Sequence, residues 1–471
     1  MASPHQPGAP APPPSRDHVL GLLAALEAGL VERRPVVRLA LLTALAGEHV
    51  LLVGPPGTAK SQLARRLHLA FAEGTYFERL LTRYTVPEEL FGPLSISALE
   101  DDRYERQTAG FLPQASIAFI DEVFKANSAI LNALLTLLNE REFDNGPRRV
   151  PCPLISVIGA TNAVPDDEVG EAFFDRFLVR LPVAPVSAQG FLELLDVGGR
   201  PPAPVAQALR EADRAAISRA AREVRLGDEV EGLLLELRAR LAADQVYVSD
   251  RRWVKVVWLL KVAAATEGRG ALAIWDLWLL PWCTAPDAAR QAGVAAWLAA
   301  RLGLVEAMSP PRLTRVVEAL EAQVEVERAA DDLDYDEHGR LQFRPELSEQ
   351  VADAKGGAAA MRLSHTRRRR YGATHVGARV RQVDELTQRV DAYLGELSAR
   401  RDDLAAYRAQ GVWIDGDFAR RADESLSATL DAVRALRQRA ARARAGFEAL
   451  PRLPADPGLE PEPIGLEPPA P

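Results

Sequence analysis

"HVLLVGPPGTAKSQLARRLHLAFA", residues 49–72, decides the fold. The apolar run "HVLLVG" leads into a Gly/Pro loop, and "SQLARRLHLAFA" follows with helical periodicity, so the stretch reads as strand, loop and helix. The loop carries Gly54, Lys60 and Ser61 in the register of the phosphate-binding pattern G-x-x-x-x-G-K-[ST], with Ala59 where that pattern has its second glycine. Such a loop aims backbone N–H groups and a helix N-terminus at phosphate oxygens. The residues expected to surround a bound ATP are Gly54, Pro55, Pro56, Gly57, Thr58, Ala59, Lys60, Ser61 and Gln62. Only five of the 57 basic residues are lysines, so a lysine here is a selective choice. Lys60 sits where a compact ammonium on a flexible stem suits phosphate better than a planar guanidinium does. The Ser61 hydroxyl is placed for Mg2+. A helix beginning at Ala59 accepts alanine readily, so Ala59 is expected at negative φ with its methyl turned from the phosphates; left-handed backbone is expected earlier, at Gly57.

Three further stretches extend the site. "SIAFIDE", residues 116–122, puts Asp121 at the end of a buried strand, where it can hold the Mg2+ hydration shell, and Glu122 where it can orient or deprotonate a water. An acidic pair can simply end a strand, but four apolar residues before it and a phosphate loop upstream favour the catalytic reading. "LISVIGATN" ends in Asn162, whose amide can reach a γ-phosphate or the lytic water; a turn-forming asparagine is the plainer alternative. "EAFFDRF" sets Arg176 between an acid and an aromatic, either a surface ion pair or an arginine finger for a neighbouring subunit's site. "YVSDRRWVKVV" offers Arg251 and Arg252 at a helix start, with Ser249 or Asp250 as its cap. Lys125 is a candidate for a subunit or pore contact, on a par with a solvated-face reading.

Composition bounds the rest. At 471 residues and 48% hydrophobic content the chain can hold two or three cores. The richest apolar stretch, "ALAIWDLWLLPWC", is too short to span a membrane, carries Asp276, and reads as a buried helix. No signal-peptide pattern opens the sequence, which suggests a cytoplasmic protein. Two cysteines, Cys152 and Cys283, make neither a disulfide framework nor a metal site. A net charge of −8 argues against a dedicated nucleic-acid binder, and the run Arg367 to Arg370 reads as a solvated face or a helix start rather than a phosphate-binding patch.

Along the chain, residues 1–14 and 451–471 are expected to be disordered Pro-rich tails. Residues 15–185 alternate strands (49–54, 77–81, 116–121, 154–161 and 177–183) with helices, the pattern of an α/β domain with a parallel sheet. Residues 186–300 read as a helical lid, and 301–374 as a mixed linker segment whose acidic stretch 331–343 is either linker or a small hairpin. Residues 375–450 carry two heptad seams, Val383 to Tyr407 and Leu426 to Leu450, broken by "QGVWIDGD" with Asp415 or Asp417 as an N-cap. This is an antiparallel helical hairpin, either a projecting arm or a pair packed on the lid.

Together these stretches, with "GLVERRPVVRLALLTALAGE" before the loop and "TVPEELFGPLSISAL" after it, resemble the MoxR family of AAA+ ATPases over about residues 18–285, and its RavA-like branch most closely. That branch has a similar "AKS", so the alanine is a trait of the resemblance. The resemblance implies Lys60 and Ser61 as the Walker A pair, Asp121 and Glu122 as the Walker B pair, and Asn162 as sensor 1. Arg176 becomes the trans arginine finger and Arg251, with Arg252 as the other choice, sensor 2. "GLVER", residues 29–33, is similar to an adenine-side strap, and residues 87–113 to a pore-facing insert. A homo-hexameric ring acting on a protein or metalloenzyme client as a chaperone-like remodeller, with a VWA-domain partner, is implied. A metal-chelatase-like motor subunit, a nucleotide-switched scaffold and a DNA-dependent motor are the rival readings. After about residue 300 the similarity weakens, and no strand-rich insert is evident.

Overall fold

The structure is a computed structural model that describes residues 12–72, 74–163, 168–197, 205, 207–302, 304, 308–333 and 366–464. The chain divides into two compact units, residues 1–302 with 406–421, and residues 303–405 with 422–471.

The first unit is built on five parallel strands: β1 (His49–Val53), β2 (Tyr76–Leu80), β3 (Ile117–Asp121), β6 (Ser156–Thr161) and β7 (Phe177–Pro182). Their order is β2-β3-β6-β1-β7, so β1 lies between β6 and β7. Every residue of β6 and the first four of β1 are buried, which explains their unbroken apolar runs. At the start of β1 the buried His49 accepts a hydrogen bond at Nδ1 from the Val157 amide, while Nε2 lies 3.2 Å from the Leu138 carbonyl. Its ring is thereby fixed, and burial holds its pKa well below the ordinary histidine value. Helices α1 (Arg16–Glu27), α2 (Arg34–Leu45), α3 (Lys60–His68), α4 (Pro87–Phe91), α5 (Ile96–Glu100), α6 (Ser128–Glu140) and α7 (Glu168–Phe174) complete the α/β part.

Residues 87–113 turn back on themselves. Ser95 donates to the Glu105 carbonyl and Gln107 to the Pro93 carbonyl, each at 2.8 Å, with α5 at the tip. Ile96, Leu99 and Tyr104 are exposed on this insert. A strand pair absent from the expectations, β4 (Glu142–Asn145) with β5 (Arg148–Pro151), clamps it: the Asn145 side chain accepts from Arg106 N at 2.6 Å and donates to Arg106 O at 3.1 Å. The Asn145-Gly146 dipeptide, with Gly146 at φ +64, is the hairpin signal in the sequence that marks this turn.

The described residues of the lid form helices α8 (Ala188–Val197), α9 (Glu211–Glu223), α10 (Asp228–Ala243), α11 (Asp250–Thr266), α12 (Leu280–Thr284) and α13 (Ala288–Arg301). Ser249 caps α11 by accepting from Arg252 N. The apolar stretch around Asp276 is a 3-10 turn (Ile274–Leu279) running into α12, wholly buried. Its carboxylate accepts from Arg269, from the Ala273 amide and from the Tyr407 hydroxyl, so no buried charge is left unpaired. The residues around Tyr407 and Trp413 belong to this unit: Trp413 Nε1 donates to Thr266 Oγ1 at 2.8 Å and Val412 N to Glu267 Oε1 at 2.6 Å. The turn between the two long heptad helices is thus docked on the end of α11. Among the described residues no helix is long and apolar enough to cross a membrane. Both cysteines are buried, and burial pushes the Cys152 and Cys283 thiols up to about 11 and about 12, as expected of inert structural thiols.

The second unit holds α14 (Pro310–Ala329) and most of α15 (Ala373–Gln410) and α16 (Gly416–Glu448). The heptad seams are buried as expected, Val383 to Leu397 on α15 and Leu426 to Phe447 on α16. Cross-pairs Arg401–Asp423, Arg437–Asp391 and Arg444–Asp384 run in opposite senses along the two helices, which fixes an antiparallel register. Asp415, rather than Asp417, caps α16 by accepting from Phe418 N. Helix α14 occupies twenty residues of the stretch read as a linker; its buried Leu313, Val317, Leu320 and Val324 step by 4, 3 and 4, a third seam in the sequence. In the stretch read as linker or small hairpin, β8 (Asp331–Leu333) pairs with the distant β9 (Thr366–Arg368), and residues 334–365 lie outside the described residues. Residues 451–464, which composition suggests are a tail, run along α15: Arg379 donates to the Glu462 carbonyl and Gln382 to the Ile464 carbonyl. Residues 1–11 and 465–471 lie outside the described residues.

Candidate nucleotide site

The loop from Gly54 to Ala59 joins β1 to α3, whose first residue is Lys60. Gly54 is required by close packing: its amide donates to the Thr161 carbonyl, and a Cβ there would lie 2.1 Å from the Val183 carbonyl oxygen. The loop is braced from outside as well. Arg33, buried at 7% exposure, donates to the carbonyls of Thr58 (3.2 Å), Glu32 (3.0 Å) and Ala184 (2.7 Å). The strap "GLVER" therefore abuts the phosphate loop, with the left-handed Glu32 bonded through its carboxylate to the Ser187 amide.

The expectation for Ala59 is overturned. Its φ is +67° and ψ 22°, a left-handed residue immediately before the helix, and Gly57 is left-handed too at φ +80°. The pattern asks for glycine at this position because the chain must turn through the left-handed region before α3 can start. Alanine adopts it at a cost of about 1 kcal/mol, from the approach of Cβ to the carbonyl. Ala59→Gly is accordingly expected to stabilise the protein by about 1 kcal/mol in urea denaturation; a lower midpoint with an unchanged slope would mean that Ala59 carries no strain.

Lys60 spans the loop, its ammonium donating to the carbonyls of Gly54 (2.7 Å) and Pro55 (2.8 Å). Burial lowers its pKa from the ordinary lysine value, and the charges of Asp121 and Glu122 pull it back up. Ser61, half-buried, and the exposed Gln62 continue the first turn of α3. Asp121 ends β3 and accepts from the Glu122 amide at 3.0 Å. Glu122 is left-handed (φ +51°), and its buried Oε2 has no hydrogen-bond partner; the Lys125 ammonium lies 3.3 Å away, out of line for a hydrogen bond. Lys125 is exposed, as the solvated-face reading expects, and its ammonium stands next to the second acid of the strand-end motif. Asn162 is exposed just beyond the end of β6, the strand between β3 and β1. Lys60, Asp121, Glu122 and Asn162 thus gather at the carboxyl ends of adjacent strands, where open α/β sheets take their ligands.

Arg176 and Arg251 belong to a second cluster, organised by Asp175. Arg251 is half-exposed and pairs with Asp175 at 3.2 Å, and Arg176 lies 3.7 Å from the same oxygen. Arg252 is buried and donates to the carbonyls of Cys283, Asp175, Phe177 and Leu178 as well as to the Asp175 carboxylate. The sequence showed the acid of "FFDRF" but not its role; nothing local in it indicates that Arg176 from the turn before β7, Arg180 from β7 and Arg251 and Arg252 from α11 converge there.

A parallel sheet with this phosphate loop, an acidic pair on the next strand but one and a helical lid defines a nucleotide-binding module of the AAA+ class. Residues 17–219 match the family model described as the MoxR domain in the MoxR-vWA-beta-propeller ternary systems, and residues 229–298 match the AAA lid domain. The chain belongs to the MoxR family of AAA+ ATPases. Two uncharacterized proteins of Methanocaldococcus jannaschii are each 41% identical to it, over 54% and 52% of this chain and 67% and 65% of their own. The chaperone MoxR1 of Mycobacterium tuberculosis is 29% identical over 39% of this chain and 49% of its own. The chain spans about two thirds of the length of the archaeal relatives and about half of MoxR1.

Proposed function

We propose that the chain hydrolyses ATP as one subunit of a MoxR ring, six-membered by analogy with the family, that remodels or matures a protein client together with a vWA-domain partner. The observation that carries this reading is the convergence of Lys60, Asp121, Glu122 and Asn162 at the ends of β1, β3 and β6. Water attacks the γ-phosphorus, Glu122 takes its proton, and ADP leaves as the bridging P–O bond breaks. Lys60 neutralises the phosphate oxygens, Asn162 orients the γ-phosphate or the water, and Arg176 of a neighbouring subunit meets the charge that develops in the transition state. Arg251 serves as the lid arginine, since Arg252 is committed to backbone carbonyls. Ser61 and Asp121 are hard oxygen donors of the kind Mg2+ takes, and the ion would add charge neutralisation on the phosphates.

Between the two branches, the name of the family model that matches residues 17–219 favours a MoxR, vWA and β-propeller system over a RavA-like one. The name of the mycobacterial relative supports a chaperone-like output. Affinity capture with Glu122→Gln, which keeps ATP bound, should enrich a vWA-domain protein over the Lys60→Ala control. Equal recovery in both removes the partner assignment. Stimulation of turnover by DNA would replace the remodeller with a DNA motor.

A further inference from the structure

Two apolar surfaces of the first unit stay in water, and they lie at opposite ends of β7. The first is a face of α8. Phe191, Leu192, Leu194 and Leu195 fall at helical spacing on one stripe, each between 45% and 66% exposed. The helix is held at its start: the Ser187 amide donates to Glu32 at 2.7 Å, and a Cβ on the buried Gly190 would lie 2.5 Å from the same carboxylate. Glu32 adjoins Arg33, which braces Thr58 of the phosphate loop. Helix α8 thus springs from the nucleotide end of the sheet, six residues after Pro182 closes β7.

The second surface is a cavity of 430 Å³ between the end of α10 and the start of α11, lined among others by Leu241, Val246, Tyr247, Val248 and Trp253. Tyr247 is 89% exposed, and the buried Trp253 Nε1 has no hydrogen-bond partner. Pockets of about 300–1,000 Å³ take drug-sized ligands, so this one has room for more than one apolar side chain. It shares the first turn of α11 with Arg251, which pairs with Asp175 two residues before β7. Strand β7 runs parallel to β1, with Phe177 beside His49 and Pro182 beside Val53. Asp175 and its arginines therefore gather at the amino end of the sheet, whereas the phosphate loop and α8 leave from its carboxyl end. A strand of this length sets the two ends about 20 Å apart.

We infer that the α8 stripe of one subunit fills the lid cavity of the next, in the same head-to-tail contact that carries Arg176 to the neighbour's nucleotide. The inference deepens the ring reading above and rests on it. A finger reaches the neighbour only if the amino end of one sheet faces the carboxyl end of the next. That orientation brings the cavity beside Arg251 to the side from which the neighbour's α8 rises. The two surfaces are different and lie at different ends of the unit, so their contact is heterologous, the kind that builds rings rather than two-fold dimers. The occupant of the cavity is a second copy of this chain.

Phe191→Asp and Tyr247→Asp alter exposed side chains, so urea midpoints are expected to stay at the parent's. The protein concentration at half-assembly, followed by sedimentation with ATP in the Glu122→Gln background, is expected to rise about tenfold or more with each. In the otherwise unaltered chain turnover is expected to fall and to recover as protein concentration is raised, which a damaged site would not show. Cross-linking tests the pairing itself. A mixture of Phe191→Cys and Tyr247→Cys chains is expected to give covalent dimers with a short bis-maleimide and each chain alone none, both native cysteines being buried. No dimers from the mixture, or dimers from either chain alone, overturn the inference. Parent rings that both aspartates leave intact overturn it while the ring reading stands; a parent that hydrolyses ATP as a single chain overturns both.

Discussion

Arg176→Ala is expected to lower ATP turnover about 10³-fold or more while ATP binding stays within a few-fold of the parent. An arginine finger acts on the transition state of the neighbour's γ-phosphate and contributes little to ground-state binding. The position suits the role: Arg176 lies two residues past the end of α7, is only partly buried, and its Nε has no hydrogen-bond partner. Rings mixed from Arg176→Ala and Glu122→Gln chains should regain activity, since some interfaces then combine an intact Glu122 with an intact Arg176. Turnover of Arg176→Ala equal to the parent's, with no gain on mixing, removes the finger assignment.

Arg252→Ala, one residue along from Arg251, should act on stability instead. Its guanidinium joins α11 to the ends of α7, α12 and β7 through carbonyls that water does not reach. Removing it leaves those acceptors unpaired, at a cost of about 3–5 kcal/mol. Arg252→Lys should recover little of this, because one ammonium cannot span the same set of carbonyls. Arg251→Ala, which breaks a half-exposed pair, should cost less than about 1 kcal/mol. Urea midpoints for the three variants check the order; an Arg252→Ala cost as small as that of Arg251→Ala would contradict the buried-clamp account.

The α/β order, the lid and the antiparallel helix pair were legible because each is written in a strong period: buried parallel strands as apolar runs, the pair as two 3-4 seams. Helix α14 carries the same kind of seam, but the acidic stretch after it has the composition of a linker. The β4–β5 hairpin was marked only by Asn145 and Gly146. The site residues stood out as motif positions, and Lys60, Asp121, Glu122 and Asn162 do converge at the strand ends. What the sequence did not carry is conformation and long-range pairing. The left-handed Ala59 breaks the rule that alanine marks a right-handed turn, because the loop's closure outweighs about 1 kcal/mol of local preference. The Asp175 cluster joins residues 75 and more positions apart, a separation that no local pattern encodes.

The central claim, that the strand-end cluster is an ATP-hydrolysing site, is tested most directly by phosphate release from the purified chain with ATP, with and without Mg2+, beside Lys60→Ala and Glu122→Gln. The account predicts Mg2+-dependent release by the parent and loss of release in both variants, with a fluorescent ATP analogue still bound by Glu122→Gln but not by Lys60→Ala. Release by Glu122→Gln at the parent's rate, or parent protein that binds no ATP, would contradict it.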